Sequence, residues 1–97
     1  MKNTTTEYLG CTGVDSGQLL LTDPCYITDK KTFDYDTMTS YIDKDLKSQT
    51  LLNGHNVEVG VVMRTQVGDG VFPVYARYNK RGELLKIEIL VNQSKID

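Results

Sequence analysis

Three short segments gather the side chains that could do chemistry: Val14-Asp15-Ser16-Gly17, Asp23-Pro24-Cys25-Tyr26, and Gly68-Asp69-Gly70 followed by Val71-Phe72-Pro73-Val74-Tyr75. Each sets small polar or acidic residues at the end of an apolar run. Asp15 and Ser16 offer a carboxylate and a hydroxyl to a sugar hydroxyl or a ring nitrogen. The same residues suit a turn in which the Asp side chain bonds backbone N–H groups and Gly17 supplies a positive φ. Asp23-Pro24 reads as a strand terminator, yet Cys25 and Tyr26 are unusual neighbours for a plain turn. Gly68 and Gly70 bare the backbone N–H groups around Asp69, which suits phosphate contact as well as a hairpin.

Catalysis would ask more of these residues. Asp15, Asp23 and Asp69 could converge as an acid/base or divalent-metal cluster, and Cys25 could act as a nucleophile with His55 beside it. His55 is the sole histidine and falls in a polar loop, and with Cys11 and Cys25 it lacks zinc-site spacing. No catalytic residue, metal or cofactor is therefore expected. Binding asks only for a concave site, a few convergent polar groups and an aromatic. Strand parity puts Arg64 and Arg77 on one sheet face with Tyr75, where they could hold an anionic, base-bearing ligand by charge-assisted bonds and stacking. The alternative is a solvated outer face.

The elements that would position these residues follow from hydrophobic period. In Val57 to Val67 the odd positions are mostly apolar, in Val71 to Asn79 the even ones, and in Leu84 to Val91 the odd ones. Opposed residues of an antiparallel pair share a face, so these sets require even loops, and two-residue turns at Asp69-Gly70 and Arg81-Gly82 fit. A three-stranded antiparallel meander over residues 56–91 is predicted. Gln18 to Thr22 reads as a buried strand and Thr6 to Cys11 as a short one, within a segment 1–28 of strands and motif turns. Tyr35, Met38, Tyr41, Ile42 and Leu46 form one helical stripe, with Asp34 or Asp36 as the cap, which predicts a helix over 34–49. Ser48 to Asn56 reads as a polar exit loop. The expected fold is α+β, mainly β: an antiparallel sheet, partly closed barrel or sandwich of about five strands with one inserted helix, as a single domain over 1–97.

The three motifs, in this order and spacing, resemble small, largely uncharacterised bacterial and phage proteins that carry V-D-S-G-Q-L, D-P-C-Y and G-D-G-V-Y/F-P-V. The resemblance covers the two ends of the chain and leaves residues 30–56 without a counterpart. It implies a β-rich domain of unknown function.

Composition narrows the classes. The 97 residues carry 11 Lys and Arg against 13 Asp and Glu, a net charge of −2, which argues against non-specific nucleic-acid binding. No apolar run approaches the roughly 18 residues of a membrane span, and the polar start lacks a signal-peptide centre, so a cytoplasmic protein with reduced cysteines is expected, in the host cytoplasm if phage-encoded. The expected function is that of a phage-type small-molecule binder that sequesters a nucleotide-derived immune signal, of cyclic ADP-ribose or cyclic nucleotide type, without cleaving it. So short a chain encloses little volume, so the ligand would be held between protomers of a homo-oligomer. The alternatives are a protein–protein inhibitor or adaptor of a host effector, and a small phosphodiesterase-like or metal-dependent hydrolase.

Overall fold

The computed structural model describes residues 4–92. It is mainly β, with six strands and one α-helix: β1 Thr5–Val14, β2 Gln18–Thr22, α1 Tyr35–Asp43, β3 Ser48–Leu52, β4 Glu58–Arg64, β5 Gly70–Tyr78 and β6 Leu84–Ile89. A single 3-10 turn, Pro24–Tyr26, follows β2. The strands form two antiparallel sheets, in the orders β1-β5-β6 and β2-β4-β3, and neither closes into a barrel. Two compact units result. One is Gly17–Gln66; the other joins the segment that ends at Ser16 to the segment that begins at Val67. Among the described residues no helix is long and apolar enough to cross a membrane.

In the 17–66 unit, α1 packs on the β2-β4-β3 sheet. Asp34 caps the helix, its carboxylate accepting from Thr37 N, and Asp36 adds negative charge to the first turn. The helix ends several residues before the expected position 49. Asp45 adopts φ 55°, Leu46 N donates to Tyr41 O at 2.9 Å and Asp45 N to Ile42 O at 3.0 Å. That is a Schellman motif with Asp where Gly is usual. The chain then re-enters the sheet as β3, so the expected exit loop is instead a strand. Ser48, Gln49 and Thr50 hide this in the sequence, yet Leu51 between them and Leu52 is 2% exposed. Tyr41, Leu51, Val59 and Val62 form the core, with Leu20, Phe33 and Met38 against it.

The expected meander is half correct. β5 and β6 pair as a hairpin in the expected odd register, with Ala76 facing Ile87 and Val74 facing Ile89. Its loop is longer than the predicted two residues. Asn79 N donates to Glu83 O and Gly82 takes φ 81°, a three-residue turn with the glycine in the left-handed region. A bulge between Arg77 and Tyr78 then restores the odd register. The other predicted hairpin does not form. β4 sits centrally between β2 and β3, whereas β5 pairs with β1, which runs for 10 residues and not the expected six. A type I′ turn would need positive φ at Asp69 and Gly70; the left-handed residues here are Gln66 and Gly68, and Gly70 is already in β5 facing Val14. Parity states which registers are allowed, and it does not choose between partners.

Candidate functional site

The candidate residues resolve into four places. At two of them a residue has clear structural work: Asp23 caps a turn and Arg64 closes the end of a helix.

Asp23 caps the 3-10 turn: its Oδ1 accepts from Cys25 N at 2.9 Å. Cys25 and Tyr26 are exposed on that turn. Desolvation by the surrounding chain, then the hydrogen bond with the Asp23 carboxylate, hold the Cys25 thiol above its ordinary range. A thiol shifted upward is a poor nucleophile at neutral pH. Among the described residues no group of three or more His, Cys, Asp or Glu could hold a metal ion.

Arg64 corrects the parity reading. A bulge at Val59, where Leu51 faces Gly60 but Leu52 faces Glu58, lets Val59 and Val62 face the core together. The even residues of β4 therefore look toward α1, and Arg64 is on a different sheet from Tyr75 and Arg77. Its guanidinium lies 5.8 Å from the centroid of the buried Tyr41 ring and donates through Nη2 to Ile42 O at 3.2 Å. A cation on the last carbonyls of a helix complements the dipole. Arg64 closes the end of α1.

Asp15, Ser16, Gly68, Asp69 and Gly70 lie at one end of the β1-β5 pair. Val14 pairs with Gly70, so both motif turns lie at the same end of the β1-β5 pair. All but Gly70 are exposed. Gly70 packs closely: a Cβ there would meet the tip of the Phe72 ring at 3.1 Å, so a larger residue would push that ring aside by a few tenths of an ångström. Tyr75 lies five residues along β5, roughly 17 Å away at strand rise, so these turns and Tyr75 are separate places on one sheet.

The fourth place is the face of the β1-β5-β6 sheet that carries Tyr75 and Arg77. Directly opposed residues share a face. Thr6 and Tyr8 on β1, and Lys86 and Glu88 on β6, therefore join them. A shallow groove of about 220 Å³ is lined by Thr6, Tyr75, Arg77, Glu88 and Leu90. Tyr8 meets Tyr75 edge to face with centroids 5.6 Å apart, and the Tyr8 hydroxyl shares a hydrogen bond of 3.0 Å with Cys11 Sγ. That bond is the main reason the Tyr8 phenol is raised above its ordinary value of 10.0. Arg77 Nε donates to Glu88 Oε1 at 2.8 Å. This contact uses one of the five guanidinium N–H groups and orients the fork.

The sequence reading named Tyr75 and Arg77 and missed Thr6, Tyr8 and Glu88. Glu88 could have been found, since the predicted β5-β6 register already opposes it to Tyr75. Thr6 and Tyr8 required the pairing of β1 with β5. A larger recess of about 550 Å³ in the 17–66 unit is lined by Asp29, Thr32, Leu52, Asn53 and His55 among others. Two of its polar groups are engaged within the fold: Asp29 Oδ2 accepts from Thr32 Oγ1 at 2.7 Å, and Asn53 Oδ1 accepts from the backbone of His55 and Val57. No protein-family model, curated protein or solved structure matches this chain.

Proposed function

We propose that the chain is a non-catalytic small-molecule binder that takes a planar, anionic, nucleotide-like ligand on the Tyr8, Tyr75 and Arg77 face. The reading rests on one observation: Tyr75 and Arg77, alternate residues of β5, line the same groove. A base stacks on the pair of the exposed Tyr8 and the half-buried Tyr75, and a phosphate accepts from the guanidinium nitrogens that Glu88 leaves for it. A groove of about 220 Å³ is smaller than the roughly 300–1,000 Å³ typical of enclosing ligand pockets, so it grips one end of such a ligand. In its most specific form the proposal is sequestration of a nucleotide-derived immune signal of the cyclic ADP-ribose or cyclic nucleotide type, as phage-encoded proteins do.

The test is titration calorimetry with 5′-AMP, cyclic di-AMP and cyclic ADP-ribose, followed by heating the complex and identifying the nucleotide released. Binding of one of these, with intact ligand recovered, supports the proposal. Arg77→Ala and Tyr75→Ala should each weaken it about tenfold or more, the scale of one lost charge-assisted bond or one lost stack. A cleaved product, no binding by any probe, or binding indifferent to both substitutions would refute it.

A further inference from the structure

β6 is an edge of its sheet, and its apolar side chains are uncovered: Leu84 and Ile87 are each 55% exposed and Leu85 47%. Open edges are templates for further strands, and such a run of exposed apolar residues is unusual on one. The direction of its backbone can be read from the hairpin. Leu90 N donates to Pro73 O at 3.1 Å, which makes that opposed pair a hydrogen-bonded one. Hydrogen-bonded and non-bonded pairs alternate along an antiparallel ladder. Glu88 and Lys86 therefore bond back to β5, through Tyr75 and Arg77, while Ile87 and Ile89 turn their N–H and C=O groups to the open edge.

We infer that this edge pairs with β6 of a second copy, antiparallel about a two-fold axis at Ile87. Charge selects that register. With Ile87 facing Ile87 of the second copy, Lys86 falls opposite Glu88 and Glu88 opposite Lys86. Moving the axis by one residue sets Glu88 against Glu88 or Lys86 against Lys86, and like charges directly opposed are unfavourable. At the chosen register the two Ile87 residues exchange both backbone bonds. The Lys86 and Glu88 pairs then occupy non-bonded positions, where opposed side chains come closest. Glu88 gives Oε1 to Arg77 and has Oε2 for the incoming ammonium. Leu85 faces Ile89 of the second copy, so the exposed apolar residues are covered by their own kind. The pairing stands independently of the ligand proposed above.

Sedimentation equilibrium of the full chain, from micromolar to millimolar, tests it. The wild type should reach twice its 10.9 kDa mass. K86E turns both cross-strand pairs into like-charge pairs and should raise the dissociation constant at least about tenfold. The K86E/E88K exchange restores opposite pairs, and its new carboxylate at 86 lies opposite Arg77, so its dissociation constant should return to within about threefold of the wild type. I87P removes an N–H that serves only the second copy and should abolish association, with circular dichroism reporting an intact fold. A wild type that stays monomeric at millimolar concentration, a dimer unmoved by both K86E and I87P, or a folded exchange variant that stays monomeric would each overturn the pairing.

Discussion

Replacing Arg64 by Ala separates a structural arginine from a binding one. Arg64 lies on the Tyr41 ring at 5.8 Å, donates to the Ile42 carbonyl at 3.2 Å and approaches Asp45 at 4.0 Å. The stacked cation contributes about 0.5–1 kcal/mol at a partly exposed site. A cation at the helix C-terminus adds about 0.3–1 kcal/mol. The Asp45 contact adds nearly nothing, because that carboxylate is 99% exposed and the distance is long. The sum is about 1–2 kcal/mol, which for a chain of this size lowers Tm by about 5–15 °C. Differential scanning calorimetry of Arg64→Ala, Asp45→Asn and Tyr41→Leu, with the double variant of Arg64 and Tyr41, measures each part. Asp45→Asn should leave Tm within about 1 °C, and the double-variant cycle should return a coupling of at least about 0.5 kcal/mol. An Arg64→Ala protein as stable as the wild type would refute the helix-end role and return Arg64 to the candidates for ligand contact.

Two further outcomes come from the same unit. Asp45 sits in the left-handed position of the Schellman motif, so Asp45→Gly should stabilise the protein by about 0.5–1 kcal/mol, read as a Tm rise of a few degrees. Asp29 accepts from Thr32 Oγ1 and from the Thr32 and Lys31 amides, which holds its carboxyl below the ordinary 3.8. A depressed folded pKa gives stability that is fully present above the unfolded value and lost as pH falls through the folded one. Asp29→Asn should therefore be less stable than the wild type at pH 6, and denaturant curves taken below pH 3.8 should show that gap narrowing. A gap constant with pH would exclude the carboxylate as its source.

Local signals in this sequence were legible and partner choice was not. Asp34 announced the helix start because capping is a contact within one turn. The β5-β6 register was readable because a short loop leaves adjacent strands few options, even though Gly82 and a compensating bulge changed the turn itself. The Asp69-Gly70 doublet misled for the opposite reason. Its local fit to a hairpin is real, but β4 gains β2 and β3 as neighbours and β5 gains a ten-residue β1. Sequence parity carries no term for such competition. Arg64 followed from the same limit, since one extra residue at Val59 reverses every face beyond it. Tyr75 and Arg77 survived because they are two apart on a single strand, a relation that no pairing error can alter.

Among the motif residues Asp15, Asp23, Gly68 and Gly70, a cap accounts for Asp23, and Gly70 packs closely against the Phe72 ring. Arg77 differs in kind. The cap and the packed glycine serve backbone that must be ordered for the chain to fold, whereas the Arg77 and Glu88 pair is about a third exposed on each side and contributes at most about 1 kcal/mol. Its worth to the fold is small, and the cost of ordering two long side chains offsets much of it. What the pair does achieve is orientation: Nε is fixed on Glu88 and the rest of the fork is held beside Tyr75. On the proposed reading, a charge arranged at little profit to stability beside Tyr75 is there for the ligand it would receive.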